Sequence, residues 1–185
     1  PNQLSDDGTV ALTSLSFSND GKYTAYTISR SGSDWSEIYV MDTATGKLLE
    51  DHINWAKFTG AAWQKDGFYY SAYDAPAKGK EFSNVNENHK IYYHKIGTPQ
   101  AEDKLIYENP AYPKRFYSAG TSKDERILFI YESGAGRGNN LFIKDLEKSN
   151  APLIQLTTDF DYQYSPIEVI GDKMYIFTNY GAPKN

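Results

Sequence analysis

Apolar and polar positions along the chain fall into strand-length runs separated by polar turns, and no long helix can be placed on the pattern. One phrase recurs: a short apolar run, a turn containing Asp, an aromatic-rich run, then a third run ending in a polar turn. It reads Phe17-Ser18-Asn19-Asp20-Gly21-Lys22-Tyr23 and returns as Trp63-Gln64-Lys65-Asp66-Gly67-Phe68-Tyr69. It recurs more loosely over residues 121–128 and starts again at Val169-Ile170-Gly171-Asp172-Lys173. The turn residues Asp20, Asp66, Asp124 and Asp172 stand roughly 50 residues apart, the period of a blade built from several strands. The expected fold is therefore all-β, an arc of four-stranded antiparallel blades. Because propellers close on about four to eight blades, a chain of 185 residues holds a partial β-propeller of three to four.

The expected blades cover residues 11–53, 57–108 and 115–158, with an incomplete one over 165–185. Strands are expected at 11–18, 22–30, 35–42 and 47–53 in the first, and at 58–64, 68–73, 90–96 and 104–107 in the second. The third has strands at 127–131, 140–146 and 154–157, and the fourth reaches 174–178. Asp20-Gly21 and Thr45-Gly46 offer turns in which a positive φ is inexpensive, whereas Lys123-Asp124-Glu125 leaves the third blade's turn type open. The polar stretch 75–88 reads as a solvated insertion. Runs such as Ile127-Leu128-Phe129-Ile130-Tyr131 and Met174-Tyr175-Ile176-Phe177 are apolar at consecutive positions, the mark of strands covered on both faces by neighbouring blades.

Aromatic residues make up 15% of the chain, which favours strands over helices. Lys and Arg number 19 against 24 Asp and Glu, so there is no basic face for nucleic acid. No apolar run approaches a membrane span and no signal segment opens the sequence, so the chain reads as soluble. The absence of cysteine rules out disulfide and thiol chemistry but fits cytoplasm and periplasm equally.

Residue patterns that carry chemistry are scarce. No serine has the Gly-x-Ser-x-Gly frame that exposes a hydrolase nucleophile: Gly120-x-Ser122-x-Asp124 fails at its last position, and Ser133 has Tyr131 where the first glycine belongs. Both read as turn or strand-end serines. Gly134-x-Gly136-x-Gly138 lacks the third glycine of a dinucleotide loop and precedes a strand, so it reads as a flexible hairpin connection. His52, His89 and His94 show no metal-ligand spacing, and His89 and His94, five apart on a strand, face opposite ways. Asp159-x-Asp161 reads as a solvated pair. No catalytic residue, cofactor or metal is expected.

Four stretches go beyond this strand-and-turn grammar: Leu4-Ser5-Asp6-Asp7-Gly8-Thr9-Val10-Ala11-Leu12, Ser31-Gly32-Ser33-Asp34-Trp35, Lys57-Phe58 through Trp63, and the run from His89 to Asp103. Together they resemble the prolyl oligopeptidase family. The run His89-Lys90-Ile91-Tyr92-Tyr93-His94-Lys95-Ile96-Gly97-Thr98-Pro99-Gln100 is the most specific, since turn chemistry and composition never demand that string. The resemblance implies a serine endopeptidase that cleaves short peptides after proline, with a seven-bladed propeller capping an α/β-hydrolase domain. This chain then corresponds to early-to-middle blades, without catalytic residues and inactive alone, with the hydrolase domain of its own parent chain and proline-containing peptides as partners. The propeller gates access, shielding the reaction from water and folded proteins. Oligopeptidases specific for basic residues share part of the pattern, but the opening run and Ser31 to Trp35 favour the prolyl branch. A free-standing peptide-binding scaffold is the alternative outside catalysis, and paired carboxylates on the propeller face a third.

In the resembled family an aromatic at the place of Phe58 and an apolar residue at the place of Phe116 line the substrate pocket upstream of proline. Read from the residues alone, both serve equally well as blade-core aromatics. An open arc also exposes apolar faces and strand edges, so self-association is expected, with Ile167, Val169, Ile170, Tyr175 and Phe177 lacking a polar cap.

Overall fold

The computed structural model describes residues 5–79 and 85–182, so Leu4 and part of the expected insertion lie outside the described residues. Blade 1 is the meander β1 (Val10–Phe17), β2 (Tyr23–Arg30), β3 (Ser36–Asp42) and β4 (Leu48–Ala56). Blade 2 is β5 (Ala62–Gln64), β6 (Gly67–Ala72), β7 (Lys90–Lys95) and β8 (Lys104–Tyr107), joined to blade 1 by the bridge Ala56↔Ala72. Blade 3 is β9 (Phe116–Thr121), β10 (Ile127–Ser133), β11 (Asn140–Asp145) and β12 (Ile154–Gln155). The fourth contributes one hairpin, β13 (Tyr164–Ile170) and β14 (Lys173–Thr178). Among the described residues no helix is long and apolar enough to cross a membrane.

The core lies between blades, which is why the consecutive apolar runs exist. Every residue of β6 is buried. Phe68 and Tyr70 point into a cluster with Ile38, Val40, Ile53 and Trp63 against blade 1. Tyr69, on the opposite face, joins Ile91, Tyr117, Leu128 and Ile130 against blade 3. The expectation fails for β14: its burial alternates, and Tyr175 and Phe177 are exposed, because no further blade covers that face among the described residues.

The turns at one end show how the repeat is built. In Ser18 to Tyr23 the Ser18 hydroxyl donates to Asp20 Oδ1, which also accepts from Lys22 N, while Tyr23 N donates to Ser18 Oγ. Ser122, Asp124, Arg126 and Ile127 make the same bonds in blade 3. Gly21 has φ +72°, and Glu125 takes its place at φ +58°, which settles the turn type left open by the sequence. The blade 2 turn differs. Its positive φ falls on Lys65, and Gly67 is required for another reason: a Cβ there would stand 2.1 Å from the His94 carbonyl oxygen.

Candidate functional site

The far end of the blades carries the connections from the last strand of one blade to the first strand of the next; Phe58 sits on one of them and Phe116 where another enters β9. The sequence reading placed Phe58 in a strand, but β5 begins only at Ala62. Between Ile53 and Ala56 the pairing with β3 slips by one residue, and Trp55 takes φ +59°. This bulge turns the chain out of blade 1, and Phe58 follows at φ +53°, a second left-handed residue that ends ladder pairing. Its ring is therefore displaced from the core and 54% exposed, while Phe116, at the start of β9, is 39% exposed. The two rings meet edge to face, 5.2 Å apart at 75°. Beside them a cavity of about 230 Å³ is lined by Phe58, Phe116, Tyr117, Ser118 and Ser133. Its lining combines aromatic rings with the hydroxyl-bearing residues Ser118 and Ser133.

Each ring has a supported base. The Lys57 side chain is buried, with its ammonium 4.8 Å from the Trp35 ring centroid, 5.4 Å from that of Phe58 and 3.5 Å from Asp34 Oδ2. Two aromatic faces and a carboxylate thus replace the water this cation gives up. On the other side, buried Glu132 accepts from Arg115 Nη1 at 2.9 Å, Tyr117 Oη at 3.2 Å and Asn140 Nδ2 at 3.0 Å. Arg115 and Tyr117 flank Phe116, so one carboxylate anchors both neighbours of the exposed ring. The Arg115 guanidinium also lies 3.4 Å from the Tyr112 ring centroid.

His89 lies behind the pair, fully buried. Its Nε2 donates to the Lys57 carbonyl at 3.0 Å and its Nδ1 accepts from Tyr117 N at 3.0 Å, which fixes a neutral ring with its proton on Nε2. Burial pushes its pKa down to about 4. Tyr73 packs against it at 4.5 Å. His89 precedes β7 rather than lying on it, and His94, within β7, has a different environment: Nδ1 is 2.7 Å from Asp103 Oδ1 and Nε2 is 3.0 Å from Asp51 Oδ1. Burial opposes its charge, but the bonds to Asp103 and Asp51 outweigh burial and raise its pKa above the ordinary value.

The remaining sequence candidates take structural places. Ser122 serves its turn, and Asp159 accepts from Asp161 N and Tyr164 Oη. The loop of Gly134, Gly136 and Gly138 connects β10 to β11 as expected but is packed against the neighbouring connection. A Cβ on Gly136 would lie 2.5 Å from the Phe160 carbonyl oxygen, and one on Gly138 1.7 Å from that of Tyr162. The sequence reading missed Lys57, Arg115 and Glu132. Lys57 opens one of the distinctive stretches, but no local pattern gives any of the three its role, which depends on partners brought together by the fold.

Comparison with known proteins bears on the family and the fold. The chain is 40% identical over 184 residues to the prolyl endopeptidase of Elizabethkingia meningoseptica, covering 99% of this chain and 26% of that protein. It is 33% identical to the dual function macrocyclase-peptidase POPB of Galerina marginata, covering all of this chain and 28% of that one. The solved structure of prolyl oligopeptidase B from Galerina marginata, bound to a 35mer hydrolysis and macrocyclization substrate, superposes with a TM-score of 0.88 at 32% identity. That match takes in 99% of this chain and 27% of the other. The chain thus spans about a quarter of the length of these relatives. Residues 1–185 match the family described as prolyl oligopeptidase, N-terminal beta-propeller domain, and the chain belongs to that family.

Proposed function

We propose that this chain is the propeller segment of a proline-specific serine endopeptidase, in which it restricts access to short peptides and supplies one wall of the substrate pocket. The observation that carries the reading is the exposed Phe58 and Phe116 pair over its cavity, at the blade ends opposite the Asp-containing turns. Two large rings left half in solvent and braced from beneath are costly unless something apolar covers them. A peptide side chain two positions before the proline fits that role, with the hydrolase domain of the same parent chain supplying the nucleophile and base.

In the full-length protein, Phe58→Ala removes one ring of the pair. It is expected to raise KM about tenfold for peptides with a bulky residue two positions before proline, from the loss of about 1.4 kcal/mol of apolar and ring contact. A substrate lacking that residue should change less than twofold. Equal losses on both substrates would assign Phe58 to packing.

Two properties of the isolated chain follow. It is expected to turn over no prolyl peptide, because no serine here is set in a nucleophile turn. Turnover that copurifies with the chain through successive columns would refute this. It is also expected to self-associate through Leu15 and Phe17 on β1 or Ile167 and Phe177 on the last hairpin, all exposed. Light scattering showing one monomeric mass across a wide concentration range would exclude that.

A further inference from the structure

We propose that His89 is the positioning residue that sets the spacing and angle of the Phe58 and Phe116 rings, and through them the fit of the substrate residue two positions before proline. This rests on the pocket reading above. The two phenylalanines belong to different blades, and no strand pairing joins the backbone at residue 57 to that at residue 117. His89 makes that connection. It donates from Nε2 to the carbonyl of Lys57, the residue before Phe58, and accepts at Nδ1 from the amide of Tyr117, the residue after Phe116. One planar ring with a donor on one nitrogen and an acceptor on the other therefore fixes the distance between the two backbones. The ring has no freedom to let that distance drift: it is fully buried, with Tyr73 at 4.5 Å, Tyr117 at 6.5 Å and both phenylalanine rings at 6.4 Å. The residue before it is fixed as well, since Asn88 N donates to the Pro113 carbonyl at 2.7 Å on the approach to Phe116.

His89 does not line the cavity, so its effect on substrates passes through the two rings. Steady-state kinetics on the full-length protein tests this, with two peptides that differ only in carrying a bulky or a minimal residue two positions before proline. His89→Leu keeps the bulk and removes both hydrogen bonds. It should raise KM for the bulky peptide about tenfold, leaving its kcat and both constants on the minimal peptide within about twofold. His89→Gln presents a donor and an acceptor on one planar group and should restore KM to within about threefold. If His89→Leu gives no soluble enzyme, His89→Asn, which falls short of the Lys57 carbonyl, should shift the same ratio in the same direction. Equal losses on both peptides, or failure of His89→Gln to restore the ratio, would overturn the positioning role. Phe58→Ala separates the two levels: if it shifts selectivity while His89→Leu does not, this inference fails alone, and if Phe58→Ala does not, the pocket reading fails and takes this one with it.

Discussion

Asp51→Ala is expected to destabilise the protein by about 3 to 5 kcal/mol, a large share of the stability available to a domain of this size. Asp51 lies on β4 of blade 1 and is buried, and its Oδ1 accepts from Gly97 N at 2.6 Å and faces His94 Nε2 at 3.0 Å on blade 2. Asp103 closes the other side of the ring and accepts from Tyr70 Oη at 2.7 Å. A carboxylate on each nitrogen favours the protonated ring, which links the two blades. The alanine variant leaves the Gly97 amide and one imidazolium N–H buried without acceptors. The pH dependence follows from the sign of the shift. A pKa raised in the folded state contributes stability that is fully present below the unfolded value near 6.5 and is lost as pH rises through the folded value. The deficit of Asp51→Ala, measured by urea unfolding, should therefore be largest at pH 6 and shrink on the alkaline side. A deficit independent of pH would mean that His94 carries no charge in the fold.

Gly138→Ala should be nearly as damaging, at about 3 kcal/mol or more, although it adds one methyl group. The new Cβ would stand 1.7 Å from the Tyr162 carbonyl oxygen and 2.7 Å from Tyr162 N, and backbone cannot step aside as a side chain can. Relief requires parting residues 134–139 from 159–164. That breaks the bond from Gly138 N to the Phe160 carbonyl at 2.7 Å and the pair of bonds between Asn139 and Tyr164 at 3.0 and 3.1 Å. The last hairpin is held to blade 3 largely here, so limited proteolysis should cut the variant between residues 157 and 164 well before the parent. Gly21→Ala is the control: its Cβ meets open space, and its cost should be about 1 kcal/mol, from the positive φ alone. Equal protease resistance of parent and Gly138→Ala would show that the loop yields.

Much of the architecture was legible because blade grammar is local. A turn aspartate accepting from its neighbours, flanked by strands of consecutive apolar residues, declares itself within eight positions, so the repeat and its spacing could be read directly. Where turn identity rested on glycine the reading was weaker. Glu125 adopts the left-handed conformation without being glycine, and Gly67 is glycine for clearance rather than for φ. The site was harder, because its parts meet only across blades. Phe58 and Phe116 stand out in the sequence only through family resemblance, and the exposure of Phe58 depends on the Trp55 bulge, which no spacing announces. The run from His89 to Gln100 stood out as a string without local cause. Its cause is long-range: His89 binds residues 57 and 117, His94 and Gly97 bind Asp51, and Gln100 exchanges hydrogen bonds with the backbone of Asn54.

In the proposed pocket, a peptide side chain upstream of proline rests against these two rings. The direct measurement is photolabelling of the full-length protein with a prolyl peptide carrying benzophenone two positions before the proline, followed by digestion and mass spectrometry. Label is expected on the peptides containing Phe58 or Phe116, suppressed by excess unlabelled substrate. Competable label confined to other segments of the protein would contradict it.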